Sequence, residues 1–400
     1  MIFIIRIICY LLIFLSTLNA KSLNHSLNDF GFDLFRELNN QRNENLLISP
    51  LSIGYALIMV NRGASGPTSD NILSTLNIDS NYLDEHYGSV RDYIQFLNRN
   101  NFHISNSIWI QTDDCYLPNQ SYLSFVDTVF HADAFYVNFA KNNLKIIKDI
   151  NDWVSNATNG MIEDMVSDND IKETTVQALL NTLYFKGQWL APFDSKTTKL
   201  DFFNTSDGEE QVYMMNKKNR YPYYSNEEFQ LLELQYANSN VSMFLFLPQD
   251  NNELDAMINN FNFSQLEHNL DSLKITPGNI SIPKFKSEKS YSMKENLKSM
   301  GMIIPFSPDL ASFDGFWNYD KDCFEIPPKH YIDIINHKTE IDLDENGVEV
   351  AAATAIIINR ITSIPSFVEP FTFIANKPFL YIIYDKEYDN IIFIGKYVGP

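Results

Sequence analysis

The sequence predicts an α+β fold in a single domain, because helical and strand-like stretches are mixed along the chain rather than alternating regularly. Helical spacing is clearest near the start, at Leu27, Phe30, Leu34, Phe35 and Leu38. Short apolar runs rich in β-branched and aromatic residues predict buried strands at 179–185, 241–247, 379–384 and 391–398. No internal repeat and no low-complexity linker divides residues 21–400.

Further elements follow from local signals. Ser49 can cap a helix whose first position is Pro50, where no backbone N–H is needed, and the apolar run 53–60 continues that helix. The apolar residues between Ile146 and Val154 recur at helical spacing and predict another helix. The alternation of Phe102, Ile104, Ile108 and Ile110 predicts a strand with one buried face.

Composition bounds the partners that this protein can have. The 400 residues carry a formal net charge of -20, and 45% of them are hydrophobic, which is ample for a large core. An acidic surface repels nucleic acids and other polyanions, so we predict no nucleic-acid partner. The densest basic run, Lys217-Lys218 with Arg220, is expected to be a solvated turn.

The first twenty residues predict a secretory signal peptide, residues 1–20. Arg6 is their one charge, an apolar run from Ile7 to Leu15 follows it, and the segment ends at Ala20. The apolar run is too short for a comfortable membrane span, and no other stretch is long enough. We therefore expect a secreted, extracellular protein.

Cysteine and histidine patterns predict no metal or other cofactor. Cys9 leaves with the signal peptide, and Cys115 and Cys323 lack the CxxC spacing of zinc sites. They could form one disulfide in an oxidising compartment, and the sequence does not decide whether they pair. The seven histidines show no metal-ligand spacing.

Seven Asn-x-Ser/Thr motifs are candidate glycosylation sites in a secreted protein. They begin at Asn24, Asn119, Asn156, Asn204, Asn240, Asn262 and Asn279.

The segment from Gly347 to Pro370 has an unusual pattern. Read with a period of two, it places six uncharged residues on one face, namely Val348, Val350, Ala352, Thr354, Ile356 and Ile358. Such a segment could form a strand buried on one side. Because a long loop that is also a competent strand is uncommon, we expect this segment to be functional.

Five motifs, in order along residues 27–400, resemble those of the serpin family. They are NLLISPLSIGYALIMVNRGASG at 45–66, NTLYFKGQWLAPFD at 181–194, the stretch 335–354, NKPF at 376–379 and FIGKYVGP at 393–400. The resemblance implies one serpin domain over 21–400, with three β-sheets, about nine helices and an exposed reactive loop at about 345–370.

The resemblance also implies a mechanism. A target serine protease attacks the loop as a substrate and forms a covalent acyl-enzyme, and the cut loop then inserts into the main sheet and traps the protease. In serpins, loop insertion adds a strand to an existing sheet and releases strain stored in the intact molecule. We expect a monomer with one protease partner. Heparin is not expected to bind, because the segment 82–98 is not basic.

Three groups of residues match working parts of the family. The hinge comprises Glu345, Gly347, Val348, Glu349, Val350, Ala351, Ala352, Ala353 and Thr354. Four residues form what we call the shutter cluster, namely Ser49, Ser52, Asn181 and His337. Three residues form the breach cluster, namely Trp189, Lys284 and Glu345. Val348 and Val350 are bulkier than the small residues usual in the family's hinge.

The position of the reactive bond stays open between neighbours. Counting from Glu345 by the family's spacing puts the cut after Ile361, before Thr362, and a loop shorter by one residue puts it after Arg360. Arg360 would suit a trypsin-like specificity pocket, whereas Ile361 would suit a small apolar pocket of elastase type.

Rival interpretations are an enzyme and a non-inhibitory serpin. The run GASGP at 63–67 fails the GxSxG pattern of hydrolases, and no HExxH, P-loop or GxGxxG motif occurs, so the sequence does not predict an enzyme. A carrier, chaperone or storage serpin is the second alternative, and the uncharged face of the loop argues against it. The stretch 316–328 is longer than usual in the family and is expected to be a surface excursion.

Overall fold

The computed structural model describes residues 22–40, 44–79, 83–112, 116–185, 187–237, 239–250, 253–319, 330–347 and 369–400. Several sequence predictions lie outside these residues. They are the signal peptide, the hinge residues 348–354, the candidate reactive bonds at 360–362, and the cysteines Cys9, Cys115 and Cys323.

Nine α-helices occur in the described residues, in line with the expected number. They are α1 Leu23–Asn39, α2 Pro50–Asn61, α3 Pro67–Thr75, α4 Tyr87–Arg99, α5 Gln120–Phe125, α6 Phe139–Ala157, α7 Leu254–Asn260, α8 Phe263–Asp271 and α9 Lys294–Ser299. The helix predicted after Ser49 is α2, whose residues are all buried, so it runs through the core rather than along the surface.

Among the described residues, the sheet with the most strands has nine. Its path is β1 Leu46–Ile48, β16 Asn390–Tyr397, β15 Phe379–Asp385, β9 Val241–Pro248, β8 Phe229–Gln235, β7 Gly208–Ser225, β10 Lys274–Pro283 and β14 Phe371–Ile374, and β6 Lys199–Thr205 pairs with β7 off this path. The four apolar runs predicted as buried strands are confirmed as strands.

The five-stranded sheet, which we call the main sheet, positions the candidate site. Its order is β11 Phe285–Ser292, β13 Ile334–Leu343, β5 Gln177–Phe185, β2 Phe102–Gln111 and β4 Asp133–Val137. β13 and β5 run parallel, from Ile334 opposite Ala178 to Glu340 opposite Tyr184. Every residue of β5 is buried, because α2 lies against one face of the sheet and α6 packs on the other.

A two-stranded sheet corrects the prediction for the start of the stretch 316–328, whose residues 320–328 lie outside the described ones. Its strands are β3 Tyr116–Pro118 and β12 Trp317–Tyr319. Phe316 and Trp317 are buried, so the start of this stretch belongs to the core rather than to a surface excursion. Gly63 explains the fit, because a Cβ there would lie 1.9 Å from the Phe316 ring. The first glycine of the GASGP run therefore serves packing.

The basic run at Lys217 is also corrected, since it lies within strand β7 and not in a turn. The strand continues because β10 pairs with it over ten residues, including Ile280 opposite Lys217. The Lys217 ammonium is not fully solvated, since its Nζ donates to the carbonyl oxygens of Ala191 and Pro192 at 2.7 Å each. Partial burial lowers the pKa of this lysine.

Candidate functional site

The shutter cluster lies beneath the parallel seam between β5 and β13. Asn181 and His337 are directly opposite each other in that seam, and Ser49 and Ser52 come from the start of α2 below it. The Ser49 hydroxyl accepts a hydrogen bond from the Ser52 N–H at 3.2 Å and so caps the helix. The helix start is thereby fixed where its polar groups can meet the sheet.

Hydrogen bonds join all four residues of the cluster. The Ser49 N–H donates to His337 Nε2 at 3.0 Å, so this nitrogen is the acceptor and the ring proton is on Nδ1. That Nδ1–H donates to the side-chain oxygen of Asn181. The Asn181 amide nitrogen in turn donates to the Ser52 carbonyl at 2.9 Å. The network therefore ties both strands of the seam to the same helix.

His337 is held in its neutral form. Its side chain is fully buried, and burial lowers its pKa from 6.5 to about 3. Its ring nitrogens already serve one donor and one acceptor, so a protonated ring would lose the bond from Ser49. This geometry is that of a satisfied structural histidine, because both ring nitrogens are engaged by neighbouring groups inside the protein.

Sequence reasoning missed the remaining members of this network. Asn106 of β2 accepts from the Asn181 amide, and the Thr339 hydroxyl donates to the Leu47 carbonyl at 3.0 Å. A signal for Asn106 was available, because it interrupts the apolar alternation of β2 between Ile104 and Ile108. A polar residue on a buried face needs a buried partner.

The breach cluster lies at the upper end of the same seam, where β13 ends. Trp189 stacks on Tyr236 with ring centroids 4.6 Å apart, and its indole N–H donates to the Asp344 carbonyl at 3.0 Å. The Trp189 backbone N–H donates to the Asn346 carbonyl at 2.8 Å. The chain that leaves β13 is therefore fastened to the segment that follows β5.

Glu345 is the most connected residue of this cluster. Its carboxylate accepts from Lys284 Nζ and from the Thr198 hydroxyl at 2.7 Å each. Burial alone would raise the pKa of this carboxyl, but the hydrogen bonds from Lys284 and Thr198 outweigh it and lower the pKa. The three residues of the breach cluster thus lie together, and Lys284 forms an ion pair with Glu345.

Gly347 is the last described residue before the loop, and no other residue type fits there. Its φ of +135° lies in the region that favours glycine, and a Cβ would lie 2.1 Å from the Gly187 carbonyl oxygen. The Asp344 carboxylate accepts from the N–H groups of Asn346 and Gly347, which shapes the turn. The backbone at Gly347 is therefore held in a conformation that only glycine fits.

A short segment, residues 162–166, crosses the outer face of the seam, and we call it the strap. Side chains on β13 reach it, because Asn336 donates to the Met165 carbonyl at 3.2 Å and Lys338 to the Asp164 carbonyl at 3.0 Å. Asn151 on α6 bonds the backbone of Met165 and Val166. The seam is thus covered on both faces.

The seven candidate glycosylation sites fall into two groups. Four side chains are exposed, namely Asn156, Asn240, Asn262 and Asn279. The other three are partly buried, and each donates a side-chain hydrogen bond to a backbone carbonyl, namely Asn24, Asn119 and Asn204.

Comparison with known proteins decides the family. The family model for serpins, described as serine protease inhibitors, matches residues 25–400. The chain belongs to the serpin family. A relative, intracellular coagulation inhibitor 2 of Tachypleus tridentatus, is 31% identical over 386 residues, which cover 94% of this serpin and 90% of the relative. The leukocyte elastase inhibitor of Xenopus laevis is 29% identical, with 95% and 100% covered.

A solved structure supports the serpin fold directly. The native state of tengpin, a thermophilic serpin, matches with a TM-score of 0.82 and 28% identity, covering 96% of this chain and 95% of tengpin. The predicted α+β serpin fold with three sheets is confirmed.

The described residues contain neither a candidate membrane-spanning helix nor a candidate metal site. No described helix combines the length and apolar character needed to cross a membrane. Within the same residues, no three His, Cys, Asp or Glu side chains come together as a metal site.

His337 gives this serpin a pH dependence with a definite sign. The pKa in the folded state, about 3, is below the ordinary value of 6.5, so folding disfavours the protonated ring. The contribution of His337 is complete above about pH 6.5 and is lost as the pH falls toward 3, with a slope of about 1.4 kcal/mol per pH unit. Denaturant unfolding at a series of pH values measures it.

In His337→Gln the free energy of unfolding should fall less steeply below pH 6.5, because glutamine does not titrate. The variant should be less stable than the wild type at pH 8. His268→Gln, at an exposed site on α8, is the matched control and should leave the pH profile unchanged. Identical profiles for the wild type and His337→Gln would show that the histidine is not the group that titrates.

Lys284→Met tests the ion pair in the breach. The variant leaves the largely buried Glu345 carboxylate with only Thr198 of its two side-chain donors, so unfolding should become easier by about 1–2 kcal/mol. Lys145→Met is the matched control, because Lys145 pairs with Asp149 on the exposed face of α6, where such pairs contribute about 0.3–0.5 kcal/mol. Equal losses for both variants in chemical unfolding would contradict a special role for Lys284.

Proposed function

We propose that this serpin is a secreted, extracellular inhibitor of trypsin-like or elastase-like serine proteases that acts as a suicide substrate. The reactive bond follows Arg360 or Ile361, in the reactive loop proposed to begin after Gly347. Secretion is supported by the signal-like residues 1–20 and by the seven glycosylation motifs. The protein is proposed to act as a monomer without a cofactor and without heparin.

The observation that carries this proposal is the parallel pairing of β13 with β5. The loop departs from the upper end of β13, and Gly347 turns the chain there. A segment that returned between the two strands would be antiparallel to both. Insertion would therefore replace one parallel ladder by two antiparallel ladders, which are slightly more stable per residue.

The side chains of the loop suit this insertion. Val348, Val350, Ala352 and Thr354 carry no charge and would share one face. Burying a Val side chain fully gains about 1.5–3 kcal/mol, whereas an unpaired charge at such a position would cost several kcal/mol. Insertion also has a cost, because the hydrogen bonds of the strap and of the shutter cluster must rearrange.

The chemistry follows from the order of the steps. The serine hydroxyl of the protease attacks the carbonyl carbon of Arg360 or Ile361, the peptide bond breaks, and its nitrogen leaves as a new amino terminus. The residue before the cut stays joined to the protease through an ester. Water would complete the hydrolysis unless insertion first carries the protease away and distorts its active site.

Arg360→Ala separates the two candidate reactive bonds. If the cut follows Arg360, the variant should lose its reaction with trypsin at least a hundredfold, because the acidic pocket no longer receives a cation. SDS-resistant complexes with trypsin and with elastase are the measurement, and mass spectrometry of the released peptide locates the cut. A wild type that traps elastase and not trypsin, with the elastase complexes intact in Arg360→Ala, would assign the bond to Ile361.

Val348→Arg tests whether inhibition needs insertion. The charge would enter the buried face, so the variant should be cleaved as a plain substrate and the yield of covalent complex should fall severalfold. Glu349→Arg, which changes charge on the opposite face, is the matched control and should keep the yield. A protein that forms no covalent complex with any serine protease, even as wild type, would be a carrier or storage serpin.

A further inference from the structure

An apolar patch lies on the outer face of the hairpin formed by β6 and β7, and we call it the hairpin patch. It consists of Leu200, Phe202 and Tyr213, whose exposed fractions are 51%, 50% and 60%. Leu200 is directly opposite Tyr213 in the antiparallel register, and Phe202 is the next residue on the same face of β6. Three large exposed apolar side chains therefore adjoin one another on one small surface.

The hairpin patch is separate from the hydrophobic core of the protein. The core face of the same hairpin is formed by other residues, since Phe203 and Val212 are buried and Phe203 packs edge-on against Tyr397 at 5.1 Å. The hairpin therefore has a complete inner face and an additional apolar outer face. An exposed apolar cluster of this kind indicates that something covers it.

Asn204 is the next residue along that outer face. It begins the motif Asn204-Thr205-Ser206, and by the alternation of β6 its side chain follows Leu200 and Phe202. The turn after it is held by the Thr205 hydroxyl, which donates to the Gly208 carbonyl at 2.9 Å and accepts from the Asp207 N–H. The direction of the asparagine relative to Phe202 is thereby fixed.

The Asn204 amide keeps one N–H for a sugar. Its Nδ2 donates to the Asn376 carbonyl at 3.1 Å, which occupies one of the two amide hydrogens. N-glycosylation replaces a single hydrogen, so this bond survives the modification. The side chain is partly exposed, which leaves room for the linkage.

We propose that Asn204 carries an N-linked glycan whose first N-acetylglucosamine packs on the Phe202 ring and covers the hairpin patch. One face of this sugar presents C–H bonds, which are apolar, and an aromatic ring is a suitable flat partner. The sugar is tethered two residues from the ring, on the same face, so little entropy is lost on contact. This inference rests on the proposed secretion, because glycans are added in the secretory pathway.

N-glycosylation of Asn204 needs one co-reactant, an oligosaccharide carried on a polyprenyl diphosphate. Nδ2 of Asn204 attacks the anomeric carbon, the bond from that carbon to the diphosphate oxygen breaks, and Nδ2 loses one proton. The polyprenyl diphosphate leaves, and no oxidation or reduction takes place.

The sequence singles out Asn204 among the seven motifs. The residues two positions before each asparagine are Ser22, Leu117, Val154, Phe202, Asn238, Asn260 and Pro277. Phe202 is the aromatic one. Asn279, which is exposed on strand β10 and follows Pro277, provides the matched control.

The test uses the full-length protein secreted from insect cells. Glycopeptide mass spectrometry should find Asn204 occupied. Ser206→Ala, which removes the motif but keeps the Asn204 bond to Asn376, should lower the Tm at a fixed scan rate by about 1–3 °C, and Asn279→Gln should not. In a Phe202→Ser background, Ser206→Ala should have no further effect. Trimming every glycan to its first sugar with an endoglycosidase should leave the wild-type Tm unchanged.

Three results would overturn the proposal. An unoccupied Asn204 in secreted protein would do so, as would an equal loss of Tm on Ser206→Ala with and without Phe202. Concentration-dependent dimers of the glycosylated protein that disappear in Phe202→Ser would assign the patch to a second copy of the chain. Covalent complex formation with trypsin is measured on the same samples, so failure of the inhibitor proposal is recognised separately.

Discussion

The parallel contact between β5 and β13 is the constraint on which the rest of the structure depends. These two strands lie at the centre of the main sheet and pair directly, at the place where the proposed insertion would add a strand. Two polar clusters keep them together, one beneath the seam at His337 and one at its upper end at Glu345. The seam is therefore closed by a few specific interactions.

Those interactions are polar for a physical reason. If the loop inserts as proposed, the hydrogen bonds around Asn181 would have to exchange partners as the strands separate. Buried polar groups are costly unless they are satisfied, so each partner must be in place while the seam is closed. The same argument explains why the neutral state of His337 matters to stability.

Much of this could be predicted from the sequence, and the failures have identifiable causes. The capped helix at Ser49 and the strand around Asn181 followed from local patterns, and the grouping of Lys284 with Glu345 in one cluster followed from the family motifs. The burial of Phe316 and the strand at Lys217 did not, because both depend on distant partners, Gly63 in one case and β10 in the other. The sequence did not predict the strap, because the side chains of β13 donate to its backbone carbonyls. Every residue has a backbone carbonyl, so no pattern of residue types marks such a bond.

The central claim is that the native molecule is less stable than the form with its loop inserted. Its most direct measurement is the thermal unfolding of the intact protein and of protein cut once within residues 355–362 by a protease that it does not trap. The account predicts a cut form that melts well above the intact one and holds an additional strand between β5 and β13. A cut form that melts at or below the intact temperature, with those strands still paired to each other, would contradict it.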